Sequence, residues 1–332
     1  MLKNKMFAVI AVATLVAVPY SQFPKSLCEG FLPENDLQIS VDSKSNKGIT
    51  EAEFNEVLDK IETIYTPIIS DKGGSLKVKR LWDNNTVNAS AQQWGGTWII
   101  NMYGGLARHE AITQDGFALV ACHEIGHHIG GAPKIGSRWA SNEGQADYFA
   151  GLKCLRLVFA DKSTSGFSRP AAMADPFVKQ KCGEKYNGKK ERALCERIAN
   201  AGMSVSSLFK IGRGEDRTPR FNEPDQKEVE QTDDRHPGTQ CRLDTYFSGG
   251  LCPKAVSDDV NRFDPSKGTC TRQEGYTWAA RPKCWYLPPA GASELEIVRQ
   301  AIDQGPVTSA PKAFQKEGSA FASLRQLAGS SR

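Results

Sequence analysis

The sequence predicts an α+β fold: a mainly helical core with a small β-sheet beside one central helix, and a disulfide-braced C-terminal part. Three observations predict it. Apolar residues recur at helical spacing between Phe54 and Ile64 and again between Ala118 and Ile129, whereas residues 76–82 and 97–103 alternate like strands. Six cysteines, Cys182, Cys195, Cys241, Cys252, Cys270 and Cys284, fall within residues 182–284.

From the beginning, residues 1–21 read as a secretory signal. Lys3 and Lys5 precede an apolar run over 6–18, which Pro19 ends; the run is too short to span a bilayer as a helix. No other apolar run is long enough to cross, so the expectation is an exported chain, periplasmic or secreted, without stable membrane insertion once the signal is removed. Formal net charge is +4 and falls nearer balance without Lys3 and Lys5, which argues against a nucleic-acid partner. The remaining ~310 residues suffice for one large core. We therefore expect a single domain over 22–289, then a short helix at 293–302 within a mobile tail, 290–332.

Asp42 to Glu53 has the length of a calcium loop, but lysines stand where an oxygen ligand and a glycine are needed. A helix capped by Thr50 with Glu53 fits better, with Phe54, Val57, Leu58, Ile61 and Ile64 on its apolar side. The strand at 97–103, TWIINMY, is open to two readings. It is either an ordinary core strand or a sheet edge that receives an extended peptide.

The stretch TQDGFALVACHEIGHHIGG, residues 113–131, carries the chemistry. On a helix, His123 and His127 lie one turn apart on one face and can converge on one metal ion. Glu124, one residue on, is placed to act on a water at that ion as general base rather than to bind the ion itself. After a break at Gly130, Gly131 and Pro133, a second helical pattern brings Glu143 and Asp147, i and i+4 on one face. Glu143 is then the third ligand, and Asp147 the carboxylate that orients a ligating histidine. Two histidines, one glutamate and an open fourth position describe a catalytic zinc site holding one Zn2+. His128 is carried off that face by the helical turn and, like His109, is expected to be an ordinary histidine.

In an exported chain the cysteines read as disulfides. Short loops suggest Cys182 with Cys195, Cys241 with Cys252 and Cys270 with Cys284, although sequence does not establish connectivity. Cys122, within the apolar part of the metal-site helix, is the candidate for a buried free thiol. The charged, Pro-containing loop over 212–234 is either a lid over a cleft or a solvated connection.

Val87-Asn88-Ala89, then HEIGHHIGG, then Asn142-Glu143-Gly-Gln-Ala146-Asp147, and finally His236-Pro237 with Arg242 together resemble the core of the gluzincin zinc peptidases of the HtpX and CAAX prenyl protease type. The resemblance spans about 87–242, with a zinc core over about 87–160 and the cysteine-rich part, 182–284, beyond what the family supplies. It implies zinc on His123, His127 and Glu143 and Glu124 as base. It also implies that His236 and Arg242 face the substrate carbonyl and that Asn88 sits by the substrate cleft. Together these readings predict an exported zinc metalloendopeptidase that takes protein or peptide substrates. The alternative is a binding or chaperone-like module stabilised by zinc, for which the base Glu124 would be superfluous. A zinc hydrolase of non-peptide amides is a third possibility.

Overall fold

The computed structural model describes residues 30–136, 139–160 and 175–289. The expected signal, Cys28, the helix at 293–302 and the tail lie outside the described residues. The fold is α+β, helices gathered around a three-stranded mixed sheet.

Helix α1, Glu51–Asp71, begins on the expected capping box between Thr50 and Glu53, an arrangement that contributes about 1 kcal/mol. It continues through Pro67 beyond the apolar stripe the sequence marks and buries Phe54, Val57, Leu58, Ile61, Tyr65, Ile68 and Ile69. Each large apolar side chain so buried is worth roughly 1.5–3 kcal/mol. Strands β1 (Ser75–Leu81), β2 (Ala89–Trp94) and β3 (Thr97–Tyr103) follow. β3 is central, parallel to β1 and antiparallel to β2. Of the two readings of TWIINMY, the core strand therefore holds. The edges are β1 and β2, and the sequence of β2, ASAQQW, lacks the β-branched alternation that marks strands.

After the short α2 (Gly104–Ala107), α3 runs Gln114–Ile129 with Thr113 capping its first turn. α3 is buried almost all round, histidines and Glu124 included, so it is the inner layer rather than an amphipathic surface helix. α4 (Glu143–Phe149) starts on Asn142, whose side chain accepts from the Gln145 N–H, and continues through a π-helical turn, Ala150–Cys154, into α5 (Leu155–Val158). At Gly126 a Cβ would come within 3.0 Å of the Ala146 backbone. Glycine there lets α3 and α4 approach until their polar residues meet.

The C-terminal part supplies α6 (Pro176–Lys185), α7 (Lys189–Gly212) and α8 (Thr239–Leu251), and α7 and α8 pack on each other and on α3 and α4. Three disulfides staple it, Cys182–Cys195, Cys241–Cys284 and Cys252–Cys270, and a fourth, Cys122–Cys154, ties α3 to the π-helical turn. One expected pairing, Cys182 with Cys195, is present; the other two are exchanged. Cys241 and Cys252 sit at opposite ends of α8, about 16 Å apart along a helix, far beyond the reach of a disulfide. Cys122 is not a free thiol: its Cα lies 5.5 Å from that of Cys154 across the α3 and π-turn contact. The loop over 212–234 is pinned rather than free, with Val229 N–H on Lys283 O and Asp233 N–H on Trp285 O. No helix among the described residues is long and apolar enough to cross a membrane.

Candidate metal centre

α3 presents His123 and His127 toward the first residue of α4, Glu143. His123 Nε2 lies 3.3 Å from Glu143 Oε2 and His127 Nε2 3.6 Å from Glu143 Oε1. Neither nitrogen finds a hydrogen-bond partner, nor do Glu143 Oε2 and both oxygens of Glu124. All three residues are buried, with ligand atoms within 4.8 Å of one another. Buried polar atoms are ordinarily paired, so three unpaired ones gathered together, His123 Nε2, His127 Nε2 and Glu143 Oε2, mark a place for a ligand. The set of two imidazole nitrogens and a carboxylate oxygen can hold a metal ion.

The other nitrogen of each ring is spoken for. His123 Nδ1 donates to Asp147 Oδ1 at 2.7 Å and His127 Nδ1 donates to the Ser141 carbonyl at 2.9 Å. Those bonds hold both rings with Nε2 turned toward Glu143. Asp147 is itself held by Arg242 Nη2 at 2.7 Å, giving a chain from Arg242 through Asp147 to His123.

Charge at the centre follows from burial and neighbours. Burial works against a charged His123, but the Asp147 carboxylate outweighs it and lifts the ring to about 9. Burial lowers His127 to about 4 and raises Glu124 to about 8. For Glu143 burial favours the neutral acid, yet His127, His236 and His123 hold its carboxyl well below the usual range. Asp147 is likewise lowered against its burial, by Arg242 and His123.

Arg242 and Asn88 both turn to the chain's own backbone. Arg242 is fully buried, its Nε donating to Tyr246 Oη and its Nη1 to Phe31 O, with the rings of Phe209 and Phe31 stacked on the guanidinium. With Asp147 taking Nη2, every part of the fork is engaged inside the protein. Asn88 is half-buried and grips the backbone of Leu32 from both sides, accepting from its N–H at 2.9 Å and donating to its carbonyl at 3.2 Å. His236 does border the centre. Its Nε2 lies 3.3 Å from Glu143 Oε2 and donates to the Gly30 carbonyl at 2.8 Å.

Neighbouring His128 is no ligand. It stacks between Trp98 and Trp139, its Nε2 on the Ile99 carbonyl, and burial lowers it to about 3. Sequence reasoning missed the segment over 30–32, the Ser141 carbonyl and Tyr246. The first contacts residues some two hundred positions away, and a backbone carbonyl leaves no mark in a sequence; Tyr246, one turn after Arg242 on α8, was findable had that helix been recognised.

No protein-family model, no curated protein and no solved structure matches this chain.

Proposed function

We propose that this chain is an exported zinc-dependent metalloendopeptidase of the gluzincin type, with His123, His127 and Glu143 as ligands and Glu124 as general base. One observation carries the reading: beside a three-ligand cluster stands a fully buried carboxylate, Glu124, both of whose oxygens lack a hydrogen-bond partner. A structural site has no use for it, whereas hydrolysis requires a base at that place. The two-histidine, one-carboxylate set fits zinc, which when bound supplies Lewis acidity toward a carbonyl oxygen.

The remaining roles belong to the chain's own residues. Glu124 takes a proton from the attacking water and returns it to the departing amine, and its upward shift by burial suits it to carry that proton near neutral pH. His236 Nε2 donates to a substrate carbonyl oxygen and stabilises the charge that develops there. Asp147 and Arg242 hold His123 in orientation. Export is supported by the four disulfides, and the substrate class is protein or peptide.

The test is cleavage of a mixed peptide library by the zinc-loaded protein beside its zinc-loaded Glu124→Gln variant. Cleavage by the first alone is expected. No cleavage by either, with zinc bound and the fold intact, would leave a zinc-stabilised binding module instead.

A further inference from the structure

The segment Gly30–Phe31–Leu32 enters the centre as a peptide substrate would. Every backbone group from the Gly30 carbonyl to the Leu32 carbonyl is read by a residue of the centre or of the sheet edge beside it. The Gly30 carbonyl accepts from His236 Nε2 at 2.8 Å. Phe31 N–H donates to the Ala89 carbonyl at 2.8 Å, and the Phe31 carbonyl accepts from Arg242 Nη1 at 3.0 Å. Asn88 takes both groups of Leu32.

Further along, Val87 N–H donates to the Leu37 carbonyl and Ile39 N–H to the Asn85 carbonyl, so residues 37–39 run antiparallel to the chain leading into β2. Phe31 itself meets the edge strand through one backbone bond, the kind of bond by which sheet edges take up peptides. The side chain is read as well. Phe31 is fully buried, its ring edge-on to the ligand His123 with centroids 4.9 Å apart and against Phe209 at 5.2 Å. Gly30 has φ +96°, and a Cβ on it would come within 2.9 Å of Asn88 Nδ2, so only glycine fits comfortably on the carbonyl side of this bond.

We infer that the chain is its own first substrate and that the Gly30–Phe31 peptide bond is the one it cuts. The inference rests on the peptidase reading. Geometry singles out this bond: its carbonyl oxygen is bound by the same His236 nitrogen that lies beside ligand Glu143, and the ring on its amine side is packed on ligand His123. The reaction is hydrolysis. The oxygen of one water bonds to the Gly30 carbonyl carbon, the bond from that carbon to Phe31 nitrogen breaks, and Glu124 moves a proton from the water to that nitrogen. The products are a Gly30 carboxylate and a Phe31 α-amine, with nothing oxidised or reduced.

Phe31 and Leu32 keep their ring contacts and Asn88 bonds after the cut, whereas everything up to Gly30 loses its covalent tie. Ala89 turns its carbonyl away from β3 to meet Phe31, and the period of two puts Ala91 and Gln93 on the same edge. Loss of the Gly30 carbonyl frees His236 Nε2 for the carbonyl of another peptide. The inferred sequence of events is self-cleavage first and cleavage of other chains afterwards.

The experiment follows the full chain by intact mass and N-terminal sequencing after zinc is added, beside Glu124→Gln. Expected are a new N-terminus at Phe31 in the wild type at a rate independent of protein concentration, and an uncut variant. A rate that rises with concentration would overturn cleavage within one chain. A wild type that cleaves the peptide library yet keeps its Gly30–Phe31 bond would overturn the inference and leave the peptidase reading standing. Failure to cut either would overturn both. Amide exchange of Phe31 and Leu32 in the metal-free Glu124→Gln protein reports the seating without catalysis: slow exchange is expected at both, and exchange at unfolded-chain rates would overturn the inference.

Discussion

Replacing Arg242 with methionine tests how much of its role lies in holding Asp147, and through it the ligand His123. Its guanidinium is fully buried and meets the equally buried Asp147 at 2.7 Å, and it donates also to Phe31 O and Tyr246 Oη. Methionine restores part of the packing against Phe209 and Phe31 but leaves Asp147 with a buried charge and only His123 as partner. Breaking a buried pair from one side costs about 3–5 kcal/mol, a large part of the ~5–15 kcal/mol that holds a domain folded. Urea unfolding of the metal-free protein is expected to show a loss of that order, and chelator competition a weakened metal. Adding Asp147→Asn should recover some of the lost stability, because the second change removes the stranded charge. An Arg242→Met protein with an unchanged unfolding midpoint and unchanged metal affinity, slower only in turnover, would refute the part given to the Asp147 pair and leave Arg242 acting on substrate alone.

Asp147→Asn alone should weaken metal binding by about 10–100-fold, since His123 then loses the carboxylate that orients it; wild-type affinity in a chelator competition would remove that role. Asp244 offers a test by pH. Burial, stronger than its hydrogen bonds from Asp225 N–H and Gln240, pushes its carboxyl up to about 7. A raised folded pKa means that the folded chain keeps a proton the unfolded chain releases, so stability falls as pH rises from about 4 to about 7. Asp244→Asn should therefore gain on the wild type between pH 5 and pH 8, on the order of 1–3 kcal/mol in paired urea melts, and no gain would show that burial is not felt there. Removing Cys122–Cys154 by a double serine substitution opens a loop of 32 residues and should cost about 3–4 kcal/mol by loop entropy; peptide mapping of the intact protein should recover Cys241 with Cys284 and Cys252 with Cys270.

The metal cluster was legible because it is local. His123 and His127 are one helical turn apart, Glu143 begins the next helix, and the capping residue Asn142 announces that helix. Asp147 was legible for the same reason, through its i, i+4 relation to Glu143. What escaped depends on long-range placement. Arg242 and Asp147 stand in the expected order along the chain, but order does not disclose that α8 turns Arg242 onto Asp147. The cysteines mislead in the same way. Cys241 and Cys252 are close in sequence, and a helix between them carries them apart. β2 hides because its alternation, Ala89 and Ala91 against Ser90 and Gln92, carries no large or β-branched apolar residue, although its edge is what meets Phe31. Neither does composition hint that Gly30, at the head of the described chain, reaches His236.

Zinc stoichiometry by native mass spectrometry tests the central claim most directly, on the wild type and on Glu124→Gln, His127→Ala and Glu143→Ala at one free zinc concentration. Predicted are one zinc per chain in the wild type and in Glu124→Gln, and its loss in His127→Ala and Glu143→Ala with the fold retained. A wild type that binds none, or a Glu143→Ala variant that holds zinc as the wild type does, would contradict the assignment of His123, His127 and Glu143 as the ligands and with it the hydrolytic centre built on them.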